Sequence, residues 1–332
     1  MAASGRSRSS FQETPDETRS VAARRAQASR RSGLPRDAVG VSWQALAAMP
    51  TTALPGPLVS ARWLAARLGQ PDLVILDASM RPVGGGPSPP ARGDDVQLPG
   101  TQVFDFDQRI CDRTSPLPHM MPPPALFEEE VRALGVRQDS AIVAYDRVGV
   151  YASPRAWWMF KAMGHDRVAV LDGGLPAWIE AGLPCEPRGE RPVSRGDFVA
   201  RPRPELLCDA DAVAAALADA RAAVVDARSE GRFSGRDPEP RSGLRRGHMP
   251  GAVNLPFSAV QAHGHMLGAE ELAALFAARV GAREPLVFSC GSGVTACILA
   301  LGATLAGRAG LRVYDGSWSE WGLPSDRPVV TG

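Results

Sequence analysis

Leu58-Val-Ser-Ala-Arg-Trp-Leu-Ala-Ala-Arg-Leu68 spaces its apolar residues at helical intervals behind a candidate N-cap, Ser60. Leu207-Cys-Asp-Ala-Asp-Ala-Val-Ala-Ala-Ala-Leu217 does the same behind Asp209. Each predicted helix precedes a short apolar run ending in aspartate, Leu73-Val-Ile-Leu-Asp77 and Ala222-Ala-Val-Val-Asp226, and such runs read as buried strands. A second matched pair, Ala141-Ile-Val-Ala-Tyr-Asp146 and Pro285-Leu-Val-Phe-Ser-Cys290, feeds a glycine-containing loop and then a helix in both cases. Asp172-Gly173 with Trp178 and Asp315-Gly316 with Trp321 close the two series at the same six-residue interval. The chain therefore repeats one α/β unit. Strands alternating with helices predict a parallel sheet in each copy with helices on both faces, because right-handed crossovers place them there.

The two copies span 57–184 and 205–332. Residues 185–204, rich in Pro, Arg and Gly, read as a linker that buries little. Residues 1–56 are Ser/Arg-rich and lack periodicity until Val41–Met49, so they predict a disordered extension. Glu13, Asp16, Glu17 and Asp37 count against a mitochondrial presequence there, and no apolar stretch marks a secretory signal. A solvated tail, a targeting segment and a start at Met49 all stay open.

Composition narrows the function classes. A length of 332 residues fits two domains, and no run of 18 apolar residues offers a membrane span. Lys+Arg 37 against Asp+Glu 36 disfavours a broad nucleic-acid-binding surface. That balance is a cancellation: eight basic and four acidic residues lie in the first 56, leaving 29 against 32 for the two repeats. Cys111, Cys185, Cys208, Cys290 and Cys297 are odd in number, scattered and without a CxxC pair. Reduced thiols and a cytoplasmic protein are expected, with no structural zinc and no cofactor.

The two strand-to-helix loops carry the chemistry. Asp146-Arg-Val-Gly-Val-Tyr-Ala-Ser153 and Cys290-Gly-Ser-Gly-Val-Thr-Ala-Cys297 keep Gly149/Gly293, Val150/Val294 and Ala152/Ala296 in register at an offset of 144. One loop opens with a carboxylate and the other with a thiol. Ligands of open α/β sheets sit at the carboxyl ends of strands, where Cys290 is expected. Gly291 and Gly293 let the chain curl with N–H groups inward, and the helix beginning near Thr295 adds its positive end. Such a nest suits a thiolate. Cys297, one turn into an apolar helix, reads as core.

Cys290-Gly-Ser-Gly-Val-Thr-Ala296, in the second of two repeats that each carry Asp-Gly-x4-Trp, resembles the active-site loop of the 3-mercaptopyruvate sulfurtransferases, a branch of the rhodanese superfamily. Gly231-Arg-Phe-Ser-Gly-Arg-Asp-Pro-Glu-Pro-Arg241, Gly247-His-Met-Pro-Gly-Ala-Val-Asn-Leu-Pro256 and Asp112-Arg-Thr-Ser-Pro-Leu-Pro-His119 extend the resemblance, which covers about residues 57–330. It implies tandem rhodanese-like domains, the first inactive because Asp146 replaces the nucleophile, with the site in the cleft between them. It implies that Cys290 takes the donor's sulfur as a persulfide, releasing pyruvate, before a thiol acceptor of thioredoxin-like kind, or cyanide, receives it. Arg232 and Arg241 match the family's two substrate-binding arginines at their nine-residue interval, suited to a carboxylate by their planar forks. Gly291, Gly293, Val294 and Thr295 are further candidates for substrate contact. Ser292, His119 and Asp107 match a proton relay, with Asp105 as the alternative aspartate because Asp107–Asp112 runs one residue longer than the family's spacing. His248 reads as a fold organiser, and Arg228, Arg236, Arg245 and Arg246 as solvated loop arginines whose segment, 228–246, has six Arg against three acids and should steer anions.

Three rivals stand beside this reading. A thiosulfate sulfurtransferase would share the chemistry, but its basic residues after the nucleophile are replaced here by Gly291-Ser292. A cysteine phosphatase needs Cys-x5-Arg, and the sixth position after Cys290 is Ala296. A non-catalytic persulfide carrier would load sulfur without turning over a free donor.

Overall fold

Each apolar run singled out above is a strand of the computed structural model, which describes residues 52–83 and 95–332. The first sheet runs Leu58–Val59, Val168–Leu171, Ala141–Tyr145, Leu73–Asp77, Thr101–Val103 from edge to edge, and the second runs Leu207–Cys208, Leu311–Tyr314, Leu286–Ser289, Ala223–Asp226, Val253–Asn254. The order is the same in both, and every pairing is parallel. The expected N-caps are in place: Ser60 accepts from Trp63 N and Asp209 from Ala212 N.

Period-two alternation divides each sheet's side chains between two cores. In the first repeat Ile75, Val143, Tyr145, Ala169 and Leu171 face an outer core with Leu64 and Trp178, and in the second Val224, Val287 and Tyr314 face one with Val213 and Trp318. The other faces share a single core across both repeats. Its centre is a helix from each, Ser153–Ala162 and Ala296–Leu305, packed on one another and buried on nearly every side. Ala296–Leu305, which carries no charged residue, is suited to such a place. Trp157, Trp158 and Phe160 alone are worth about 1.5–3 kcal/mol each by burial.

One expectation gains detail and one needs correction. The segment 185–204 is largely exposed but anchored at two places: Phe198 is fully buried against Phe127, Phe160 and His165, and Glu186–Pro187 pairs antiparallel with Val96–Gln97. Arg201 N and Arg203 N donate to Met163 O and Ala162 O, so the segment is strapped along the first repeat. Ordered packing also begins before residue 57, since buried Thr52 donates its N–H and hydroxyl to the Asp72 carboxylate at 2.6 and 2.7 Å. The remainder of the predicted extension, 1–51, lies outside the described residues.

Candidate active site

Cys290 ends the central strand Leu286–Ser289 and is 2% exposed, at the wall of a cavity of about 250 Å³ between the repeats. The turn at residues 315–319 grips its loop. Ser317 Oγ accepts from Cys290 N at 3.1 Å, Trp318 N donates to Cys290 O at 2.9 Å, and Ser319 donates to Gly291 O through both its N–H and its hydroxyl. Gly293, at φ +75°, lies so close to this turn that a Cβ would meet Asp315 O at 2.8 Å. The next helix starts at Ala296. Val294 and Thr295 line the cavity, as do Gly291 and Ser292. Cys297 is core, with its thiol pushed up to about 12 by burial.

The two arginines reach the same loop. A Cβ on Gly291 would sit 3.1 Å from Arg232 Nη2 and 3.8 Å from Arg241 Nη1. Arg232 Nη2 donates to Glu239 Oε2 at 2.6 Å, and Glu239, 2% exposed in its side chain, also accepts from Arg228 Nη1 at 2.8 Å. Arg241 has no ion-pair partner among the described residues, and burial lowers its pKa, with Arg232 adding to the effect. Arg228 is not the solvated arginine expected. It is fully buried, paired with Asp226 and stacked 4.0 Å from the Trp318 ring centroid. Arg245 likewise is tied inward, to the carbonyls of Trp321 and Arg327. Of the three arginines that line the cavity, Arg228 and Arg232 are thus matched by acids, and Arg241 is the one without an ion-pair partner among the described residues.

The relay residues come together from both repeats. His119 Nδ1 lies 2.9 Å from Ser292 Oγ and His119 Nε2 lies 2.8 Å from Asp107 Oδ1. That network assigns the proton to Nε2, so Nδ1 accepts from the serine hydroxyl. Burial lowers the His119 pKa from 6.5, against the raising effect of Asp107, so the ring is neutral at pH 7. Asp105, the alternative aspartate, instead caps a turn by accepting from Asp107 N and Gln108 N. His248 stacks on Phe233 at 3.7 Å and holds Phe233 O, away from the cavity lining.

In the first repeat the equivalent loop is filled and covered. The Asp146 carboxylate accepts from Tyr151 N, Ala152 N, Ser153 N and Ser153 Oγ. Gly264, in the hairpin loop between Gln261–Ala262 and His265–Met266, lies over it: Val150 N donates to Gly264 O, and a Cβ on Gly149 would be 2.8 Å from Gly264 Cα. Tyr151 of that loop still serves the cavity, forming an apolar wall with Met80 and Phe257. Sequence reasoning also passed over Arg155 and Glu239. Arg155 carried a signal, a charge inside the apolar helix Ser-Pro-Arg-Ala-Trp-Trp-Met-Phe, whereas Glu239 carried none.

Comparison with known proteins places these features among relatives. The model of the rhodanese-like domain matches residues 60–181 and 209–323. The human 3-mercaptopyruvate sulfurtransferase is 42% identical over 273 residues, covering 80% of this chain and 91% of its own. The thiosulfate sulfurtransferase of Gallus gallus is 39% identical over 284 residues, covering 81% and 94%. The solved structure of SseA from Escherichia coli, described as a 3-mercaptopyruvate sulfotransferase with the rhodanese fold, superposes with a TM-score of 0.69 at 36% identity, over 80% of this chain and all of its own.

Proposed function

The chain belongs to the family built from rhodanese-like domains, and from that premise we propose that it is a 3-mercaptopyruvate sulfurtransferase acting through a persulfide on Cys290. The observation that carries this reading is a thiol at the wall of an arginine-lined cavity with a Ser292–His119–Asp107 relay beside it.

A cysteine attacks as its thiolate. Cys290 Sγ bonds to the donor's sulfur, the sulfur–C3 bond breaks, and its electron pair leaves as the enolate of pyruvate. The donor's thiol proton must end on C3, and Ser292, with its hydroxyl on neutral His119, is placed to shuttle it. Pyruvate then departs and the persulfide remains. The first repeat indicates what this backbone does with an anion: N–H groups of Tyr151, Ala152 and Ser153 converge on Asp146. By register, the loop N–H groups of Thr295 and Ala296 would take the terminal sulfur.

Charge supports the choice of donor. Arg232 is matched by Glu239 and Arg228 by Asp226, which leaves Arg241 to balance one carboxylate, as in a monoanionic 2-oxo acid. A thiosulfate dianion asks for more. The Gallus gallus relative nonetheless keeps thiosulfate as the second reading, with a carrier module third. The acceptor is a thiol, presented by a thioredoxin-like protein, that enters the cavity. Five free thiols support a reducing, cytoplasmic setting. Among the described residues no helix is long and apolar enough to cross a membrane.

Steady-state kinetics with both donors decides among these. We expect kcat/KM for 3-mercaptopyruvate to exceed that for thiosulfate at least about tenfold, a difference of ~1.4 kcal/mol in transition-state binding. A preference for thiosulfate would favour the second reading. Sulfur loading without turnover of either donor would favour the carrier.

A further inference from the structure

Arg155 lies on the helix Ser153–Ala162 of the first repeat, and its side chain is 0% exposed at the junction with the second. Its Nη2 donates to His119 O at 2.6 Å and to Asp315 Oδ1 at 2.7 Å. The other oxygen of that carboxylate accepts from Met121 N at 2.7 Å. Met120 O, between them, accepts from Asp112 N at 2.9 Å. Three consecutive residues are thus pinned through their backbones, two of them by one buried ion pair. The pinning has an evident object. His119 has φ 62°, in the left-handed region that a side chain of its kind enters at a cost and keeps only when its surroundings hold it there. This backbone carries a ring whose two nitrogens meet Ser292 and Asp107.

The same pair touches the catalytic loop. A Cβ on Gly293 would meet Asp315 O at 2.8 Å and Arg155 Nη1 at 3.3 Å. Arg155 Nε and Nη1, both buried, find no oxygen or nitrogen acceptor, and the guanidinium meets the buried Cys297 thiol instead. A buried guanidinium facing so weak an acceptor is costly and calls for a reason. Stability alone does not supply it, because an apolar side chain of similar size would fill the space without burying a charge.

We propose that Arg155, through Asp315, is a positioning residue for the proton relay: it fixes the left-handed backbone of His119 and thereby aims Nδ1 at Ser292. The inference rests on the persulfide reading above and adds a selectivity to it. Release of pyruvate needs a proton delivered to C3. Thiosulfate loads Cys290 by a different balance: Sγ bonds to the outer sulfur, the sulfur–sulfur bond breaks, and its electron pair leaves with sulfite, which requires no proton. Arg155 therefore serves one donor's half-reaction and not the other's.

The test is first-turnover loading of Cys290, followed by mass spectrometry, in Arg155→Met, Arg155→Lys, Asp315→Asn, Ser292→Ala and the double variant Ser292→Ala/Arg155→Met. With 3-mercaptopyruvate the Arg155→Met rate is expected to fall on the order of 100-fold, the scale of general acid–base catalysis, with its apparent KM within about threefold of the parent. Arg155→Lys should recover part of the rate, and Asp315→Asn, which keeps an oxygen for Met121 N, should lose part of it. Thiosulfate loading should stay within about threefold in Arg155→Met, Arg155→Lys and Asp315→Asn. The double variant should be no slower with 3-mercaptopyruvate than Ser292→Ala alone, because both changes act on one relay. Equal losses with both donors, or losses that multiply in the double variant, would overturn the proposal and make Arg155 a general structural residue. If Arg155→Met does not fold, the double-variant comparison is made with Arg155→Lys. Failure of the parent protein to load sulfur on Cys290 from either donor would instead overturn the persulfide reading itself.

Discussion

His119 is where a residue's environment most directly sets its chemistry. Its ring is 4% exposed in a position reached only through a strained backbone angle, and burial outweighs Asp107 to hold its pKa below 6.5. The neutral ring is the form that can accept the Ser292 proton. The rate with 3-mercaptopyruvate should therefore fall as pH drops through this lowered pKa, while staying flat near neutrality. Asp107 raises the His119 pKa, so Asp107→Asn should move the acid limb to lower pH and reduce the plateau roughly 100-fold as the ring loses its orienting partner. A limb that moves the other way, or an unchanged plateau, would take His119 out of the relay. The same shift bears on stability: protonation costs more in the folded state than in the unfolded, so stability is lost as pH falls from 6.5 through the folded value. Little of this was legible from spacing, since His119 and Ser292 are 173 residues apart. Only resemblance to a family paired them, and the choice of Asp107 over Asp105 needed the geometry.

At the scale of elements, two loops of like backbone have opposite fates. The loop 290–297 borders a cavity, whereas 146–153 holds its own carboxylate under Gly264. Substitution of the nucleophile is thus one of two reasons for the first repeat's expected inactivity. Restoring the thiol leaves the cover in place. Asp146→Cys in a Cys290→Ser background should remain without detectable sulfur loading from 3-mercaptopyruvate. Loading at position 146 in mass spectra of that double variant would mean that the hairpin yields and Asp146 alone silences the site. The offset of 144 between the loops was readable in the residues themselves, because a repeated apolar strand and repeated glycines constrain backbone shape. The hairpin's position was not, because Gln261–Met266 is short, mixed in polarity and packs on a partner distant in sequence.

For the whole molecule, the repeat predicts two domains but not their union. Apolar runs locate strands because a strand buried on both faces must be apolar throughout. They do not say which face meets the other repeat. Here the inner faces form one core around the helices Ser153–Ala162 and Ala296–Leu305, and the described residues cluster within one compact unit. The anchoring of the linker 185–204 was not legible for a similar reason: a single buried Phe198 among prolines and arginines has no periodicity to betray it. Arg228 misled in the opposite direction, since an arginine count cannot tell a solvated side chain from one paired with Asp226 beneath Trp318. The consequence for function is that the site is assembled from both halves, with thiol, arginines and Ser292 from the second repeat and His119, Asp107 and Tyr151 from the first. On the proposed reading, the donor's sulfur passes through Cys290 of this composite site. Intact-mass and peptide mass spectrometry after treatment with 3-mercaptopyruvate in the absence of acceptor tests it most directly. One sulfur should be gained on the Cys290 peptide, matched by one pyruvate per chain, and neither should appear in Cys290→Ser. Sulfur on another cysteine, or pyruvate release that persists in Cys290→Ser, would contradict it.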